Sequence, residues 1–212
     1  MTQYLPNYTS MECIKEQDPT SWDDEPYAIF LGVNWTTSPV RWFVKRTKVY
    51  TNVDEGEKHG AYYTPDDRAL TSTGKYQVID PSHCFILMQA MEYDNSSPTF
   101  ICKALKYFMG KRIPQMSSLF AQKPLPLKSN VLPYFKESMS TIIKIARHKP
   151  TLSFVDTIIK GFTYDLLDAL INPDDMVGGI KELTLTGGDR KEITCTSSGN
   201  GKYIYKFSIH KK

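Results

Sequence analysis

From His83 to Met91 the chain reads His-Cys-Phe-Ile-Leu-Met-Gln-Ala-Met, a nearly unbroken apolar run of strand length that stops at Glu92-Tyr93-Asp94-Asn95. A strand with one wet face alternates apolar and polar positions, because successive side chains point to opposite faces. A run without that alternation predicts a strand buried on both faces. Other runs of β-branched and aromatic residues precede it, at Glu12 to Glu16, Tyr27 to Trp35 and Val40 to Tyr50, broken by Asp, Pro and Ser. Between them, Thr51 to Gly74 is rich in Asp, Glu, Gly and Thr and reads as a long decorated loop.

The middle of the chain changes character. Phe100 to Met109 predicts a short helix. The following stretch holds Pro114, Pro124, Pro126 and Pro133 and is expected to cross the surface without regular structure. Leu132, Phe135, Met139, Ile142, Ile143 and Ala146 recur at three- and four-residue steps, as do Val155, Ile158, Ile159, Phe162 and Leu166. Each set predicts a helix with one apolar stripe. Pro150 separates the two, so a helical hairpin packed on the sheets is the simplest arrangement.

The end returns to β. Ile180 to Leu185 is a short strand, and Glu192 to Thr196 and Tyr203 to Ile209 flank a segment whose Asn200-Gly201 step signals a hairpin turn. Tyr203, Tyr205, Phe207 and Ile209 share one face of that hairpin. The expectation is a single domain over 1–212, with a β-sandwich from 11–95 and 172–212 and a Pro-rich, helical insertion at 96–171.

Composition bounds the function. Apolar residues make up 41% and charged residues 23%, which suits a packed core and not a disordered chain. The formal charge of +3 comes from 26 basic and 23 acidic side chains, with no dense cationic stripe, so nucleic acid is not an expected partner. The first ten residues lack a basic start followed by an apolar run, and nothing reaches the roughly 18 apolar residues of a membrane span. The expectation is a soluble chain, cytoplasmic or exported by a route without a signal peptide. The four cysteines show no metal-finger spacing, and Cys84 and Cys195 lie in apolar runs where a free thiol acts as a small hydrophobe.

The chemical lead is acidic. Asp23-Asp24-Glu25-Pro26-Tyr27, Glu92-Tyr93-Asp94 and Asp174-Asp175-Met176-Val177-Gly178 sit at strand boundaries, and Asn52-Val53-Asp54-Glu55-Gly56-Glu57 lies in the loop that follows Tyr50. Carboxylates gathered at strand ends repel one another, and a fold that collects them needs a cation, a basic partner or open solvent. Taken in order, these segments resemble the calcium- and lipid-binding C-two domain, an antiparallel eight-stranded β-sandwich with aspartates in the loops at one end. Where that family has a short loop, this chain runs for roughly 80 residues between Asp94 and Asp174. Residue 92 is Glu where the family has Asp.

The resemblance implies a mainly β fold, a C-two-like sandwich with an inserted α-helical hairpin. It also implies calcium, with Asp18, Asp24, Glu92, Asp94, Asp174 and Asp175 as the ligand set. The alternative for these acids is that they form turns and caps, since Asp side chains bond nearby backbone amides.

Other constellations carry less. His59, His83, His148 and His210 are scattered, and His83 and Cys84 point to opposite faces of a strand. Thr186-Gly187-Gly188-Asp189 and Gly199-Asn200-Gly201 are turns between strands, lacking the Lys and Ser or Thr of a phosphate loop. Lys144, Arg147, His148 and Lys149 bunch near a helix end, where positive charge offsets the helix dipole or meets an anionic membrane surface. Tyr4, Tyr8 and Trp22 form an aromatic N-terminal arm suited to a partner interface.

Two functions are consistent with these features. The first is a non-catalytic binding module whose acidic loops bind calcium and dock on an anionic membrane or a protein surface. The second is a self-assembling structural or toxin-like protein, a homo-oligomer whose contacts come from the aromatic arm. No nucleophile and base pair can be named, so the chain does not read as an enzyme.

Overall fold

The computed structural model describes residues 4–16, 24–60, 80–93, 98–147, 175–196 and 201–211. The described strands are β1 (Tyr4–Lys15), β2 (Pro26–Asn34), β3 (Arg41–Arg46), β4 (Lys58–Gly60), β5 (Cys84–Glu92), β6 (Asp175–Glu182), β7 (Arg190–Thr196) and β8 (Lys202–Lys211). The described helices are α1 (Pro98–Gln115), α2 (Ser117–Phe120) and α3 (Lys128–Arg147), all between β5 and β6 in chain order. The strands form two antiparallel four-stranded sheets, ordered β4-β1-β8-β7 and β3-β2-β5-β6. The fold is mainly β, with a sandwich-like pair of sheets.

Two apolar cores define three layers. Between the sheets, Tyr8, Met11, Tyr205 and Phe207 of the first sheet pack with Phe30, Ile86 and Met88 of the second. On the far side of the second sheet, Leu31, Phe85, Leu87 and Met91 pack with Leu105 and Met109 of α1 and Phe135 and Met139 of α3. The central strands β2 and β5 are therefore buried at every position, one face against the first sheet and the other against the helices. That is why the His83 to Met91 run lacks alternation.

β1 is longer than the sequence predicts, because its alternation changes phase. Pro6 and Tyr8 are buried on one beat and Met11 and Cys13 on the other, with a register irregularity between Tyr8 and Ser10. A bulge with one extra residue at Thr9 restores the inward face. The predicted hairpin at the end matches β7 and β8: Tyr203, Tyr205, Phe207 and Ile209 are all buried.

The helical region departs from expectation in three places, the first being the short helix α2, with its buried Phe120, inside the Pro114 to Pro133 stretch expected to lack regular structure. α1 continues past Met109 to Gln115, because Ile101, Leu105, Met109 and Ile113 form one ridge at four-residue steps. Gly110 does not interrupt it, since it lies beside the Trp42 ring; a Cβ there would sit 3.8 Å from Trp42 Cζ2. α3 begins at Lys128, so Pro133 lies inside a helix that the sequence reading places largely after it. Pro133 is exposed, leaving water to satisfy the carbonyl its missing N–H abandons. The second predicted helix, Val155 to Leu166, lies outside the described residues.

β6 starts at Asp175, five positions before the predicted Ile180, and bends on the way. Met88 pairs with Lys181 and Ala90 with Val177, so one residue of β5 faces three of β6. Gln89 fills the gap: its Nε2 donates to Gly178 O at 3.1 Å and Ala90 O at 2.8 Å. Gly178 has φ of +70°, and a Cβ there would come within 2.9 Å of Thr196 O, so only glycine fits the bend.

Candidate functional site

The four acidic segments meet at one end of the molecule. The backbone of Asp24 bridges Val53, with Val53 N–H donating to Asp24 O at 3.2 Å, which brings the Asn52 to Glu57 loop beside the start of β2. Pro26 pairs with Glu92, and Glu92 with Asp175, so the start of β2, the end of β5 and the start of β6 lie side by side. Tyr93 N–H donating to Glu25 O at 3.1 Å continues the ladder outward. Of the expected ligands, the backbones of Asp24, Glu92 and Asp175 are brought to this end; Asp18, Asp94 and Asp174 lie outside the described residues, as does Trp22.

Asp24 is turned inward. It is 3% exposed, and its carboxyl group accepts a hydrogen bond from the Tyr203 hydroxyl, which reaches it from the first sheet. Glu92 is also buried. Burial first, then the Asp24 hydrogen bond and the charges of Asp24 and Glu92, push the Tyr203 hydroxyl well above its usual range. Cys13 feels the same environment: burial, followed by Asp24 and Glu16, raises its thiol to about 12. Tyr205 donates to Tyr27 O at 3.2 Å and completes a row of phenols beneath the acidic end.

Carboxylates inside and outside the Asn52 to Glu57 loop hold its turn, and Asp54 N–H donates to Glu57 Oε2 at 3.4 Å. Glu55 N–H donates to Glu16 Oε1 at 2.9 Å, and Glu57 Oε2 lies 3.0 Å from His59 Nε2. Gly56, at φ +85°, donates its N–H to Cys13 O at 2.9 Å, tying the turn to β1. Calcium takes about six to eight oxygens, and among the described residues no group of three or more His, Cys, Asp or Glu is disposed to hold a metal ion. The described carboxylates do not by themselves complete a calcium shell.

The aromatic arm divides. Tyr8 is 3% exposed, and its hydroxyl pairs with Tyr50 Oη at 2.7 Å inside the inter-sheet core. Tyr4 is half-buried against the same core, opposite Lys211. A tyrosine on the apolar face of β8 was the signal for the contact that the acid pattern alone missed, because a buried phenol requires an acceptor. No family model matches the chain, and no curated protein or solved structure matches it. Among the described residues, no helix is long and apolar enough to cross a membrane.

Proposed function

We propose that the chain is a non-catalytic binding module of C-two-like design, with the helical region as an insertion, and that it binds calcium at its acidic end. The observation that supports this reading is the ladder Pro26–Glu92–Asp175 together with the Asp24–Val53 bridge, which gathers four acidic segments distant in sequence. In this reading Asp24 stays on Tyr203 as an inner support. The ion is held by Glu92 and Asp175 with Asp18, Asp94 and Asp174. A bound cation converts a repulsive negative rim into one that accepts anionic headgroups or an acidic protein surface.

Calorimetric titration with calcium, and melting in calcium against EDTA, test the proposal. Heat of binding and a higher Tm in calcium are expected, both weakened in Glu92→Gln and Asp175→Asn. No heat and no change in Tm sink it. Calcium-dependent sedimentation with phosphatidylserine vesicles then separates membrane docking from protein docking.

A further inference from the structure

About 30 Å along β2 from the acidic end, at roughly 3.3 Å per residue, lies a cavity of about 710 Å³ between the β2–β3 connection and the α1–α2 corner. Its walls include Trp35, Trp42, Ile113 and Phe120. Trp35 is held in place: its Nε1–H donates to Pro126 O at 2.8 Å, and its ring lies 5.7 Å from Phe120 and 5.9 Å from Phe85. Trp42 is seated over Gly110. The apolar walls are thus built from side chains fixed by the second core.

The rim is selective in charge. Among the described residues that line the cavity, Lys123 is the one ionisable side chain, it is exposed, and none is a carboxylate. Two of the rim hydroxyls are engaged within their own loop, Thr36 Oγ1 with Asn34 Oδ1 at 2.7 Å and Thr37 Oγ1 with Pro39 O at 3.1 Å. The segments that build the cavity share this bias. From Trp35 to Val53 and from Pro98 to Lys136 the sequence has no Asp or Glu, while Lys and Arg recur in both. Such a surface concentrates anions at its mouth.

We infer that this cavity binds a small amphiphilic carboxylic acid, its apolar body between Trp35, Trp42 and Phe120 and its carboxylate on Lys123. The volume falls in the range of pockets that enclose a small molecule, roughly 300–1,000 Å³, and the composition matches, apolar and aromatic walls with one charged group that sets orientation. The charge favours the occupant: an apolar ligand without an acid leaves Lys123 unused, and a cationic one is repelled by it. This site is independent of calcium.

The probe is monomeric dodecanoate, with dodecanol as the neutral control, titrated in EDTA below micelle formation. Trp35 and Trp42 are two of the three tryptophans, so emission reports directly; calorimetry gives affinity for all variants. Saturable dodecanoate binding is expected, weakened about fivefold in Lys123→Ala, as for one exposed ion pair. It is weakened further in Lys123→Glu and retained in Lys123→Arg, with dodecanol unaffected by all three. Ala121→Trp, at an exposed lining position, should fill the cavity and abolish binding of both probes while circular dichroism stays native. Equal binding by wild type and Lys123→Glu overturns the placement of the acid, and undiminished binding by Ala121→Trp overturns the site. Binding to phosphatidylserine vesicles without binding of the monomer, or an emission change that tracks dimer formation in light scattering, overturns the ligand class. Because every arm contains EDTA, failure here is distinct from failure of the calcium reading.

Discussion

The phenolic hydroxyl of Tyr203, on the buried face of β8, donates to the Asp24 carboxyl group across the gap between the two sheets. Asp24 lies just before β2 and bridges Val53, so one hydrogen bond joins the first sheet to the edge of the acidic end. Burial and the adjacent acids keep the phenol protonated, and it remains a donor across the working pH range.

Removing that donor has a definite cost. Tyr203→Phe keeps the ring packing and deletes the hydroxyl, and hydrogen bonds to charged groups contribute about 1.5–3 kcal/mol. Urea denaturation is expected to show a loss in that range. The double variant Tyr203→Phe/Asp24→Asn should lose less than the sum of the single variants, since both act on one interaction. Strict additivity would show that the two residues do not act together.

A second cross-strand contact sets a pH dependence. Lys206 Nζ lies 2.6 Å from Glu12 Oε2, and Lys58 Nζ lies 3.4 Å from Glu12 Oε1, between β8, β1 and β4. The Lys206 hydrogen bond lowers the Glu12 pKa from its ordinary 4.5, and Glu12 raises that of Lys206 above 10.5. A lowered carboxyl contributes stability above its unfolded pKa and loses it as pH falls through the folded value. A raised ammonium contributes below its unfolded pKa and loses it as pH rises through the folded value. The pair's contribution is therefore flat between about 4.5 and 10.5 and declines outside that window. Urea midpoints from pH 7 down to 3 should fall less steeply in Glu12→Gln than in wild type, and an unchanged slope would refute the assignment.

Much of this architecture was legible because burial leaves a pattern. The continuous run in β5 announced a strand covered on both sides, and the alternating tyrosines of β8 announced an inward face. What escaped the sequence were changes of phase. The bulge in β1 hid the strand from Tyr4 onward, and Gly110 and Pro114 masked the last turn of α1. The acidic site was half legible. Strand ends marked by carboxylates could be read, and the ladder sets Pro26, Glu92 and Asp175 side by side, but the inward turn of Asp24 could not be read, because its partner lies 179 residues away. The cavity beside Trp35 left no sequence motif, since it is assembled from a strand connection and a helix corner.

Gly32 and Phe43 are opposite one another on β2 and β3, and a Cβ on Gly32 would lie 2.0 Å from Phe43 Cε1. The ring covers the glycine and must move if a methyl is added. Gly32→Ala is expected to destabilise by about 1–3 kcal/mol, the range for overpacking. Phe43→Leu in the same chain should recover part of the loss by freeing the space. Thermal melts of the two single variants and the double variant decide the matter, and a double variant no better than Gly32→Ala alone would rule out the steric account.

Cys13, Cys84, Cys102 and Cys195 are all free and buried. Cys13 and Cys195 both pair with Tyr203, one on each side of it, which puts them two strand spacings apart, about 10 Å. A disulfide needs Cα atoms within about 7 Å, so these two cannot join across Tyr203. Burial raises the thiols of Cys13, Cys84 and Cys102 to about 12 and that of Cys195 to about 11. At pH 8 the thiolate fraction is then on the order of one in a thousand or less, and the thiolate is the reactive form. Ellman's reagent should find no fast-reacting thiol in the native protein and four per chain in denaturant without reductant. Fewer than four in denaturant would reveal a disulfide, and a fast native thiol would show that one of these side chains is not enclosed.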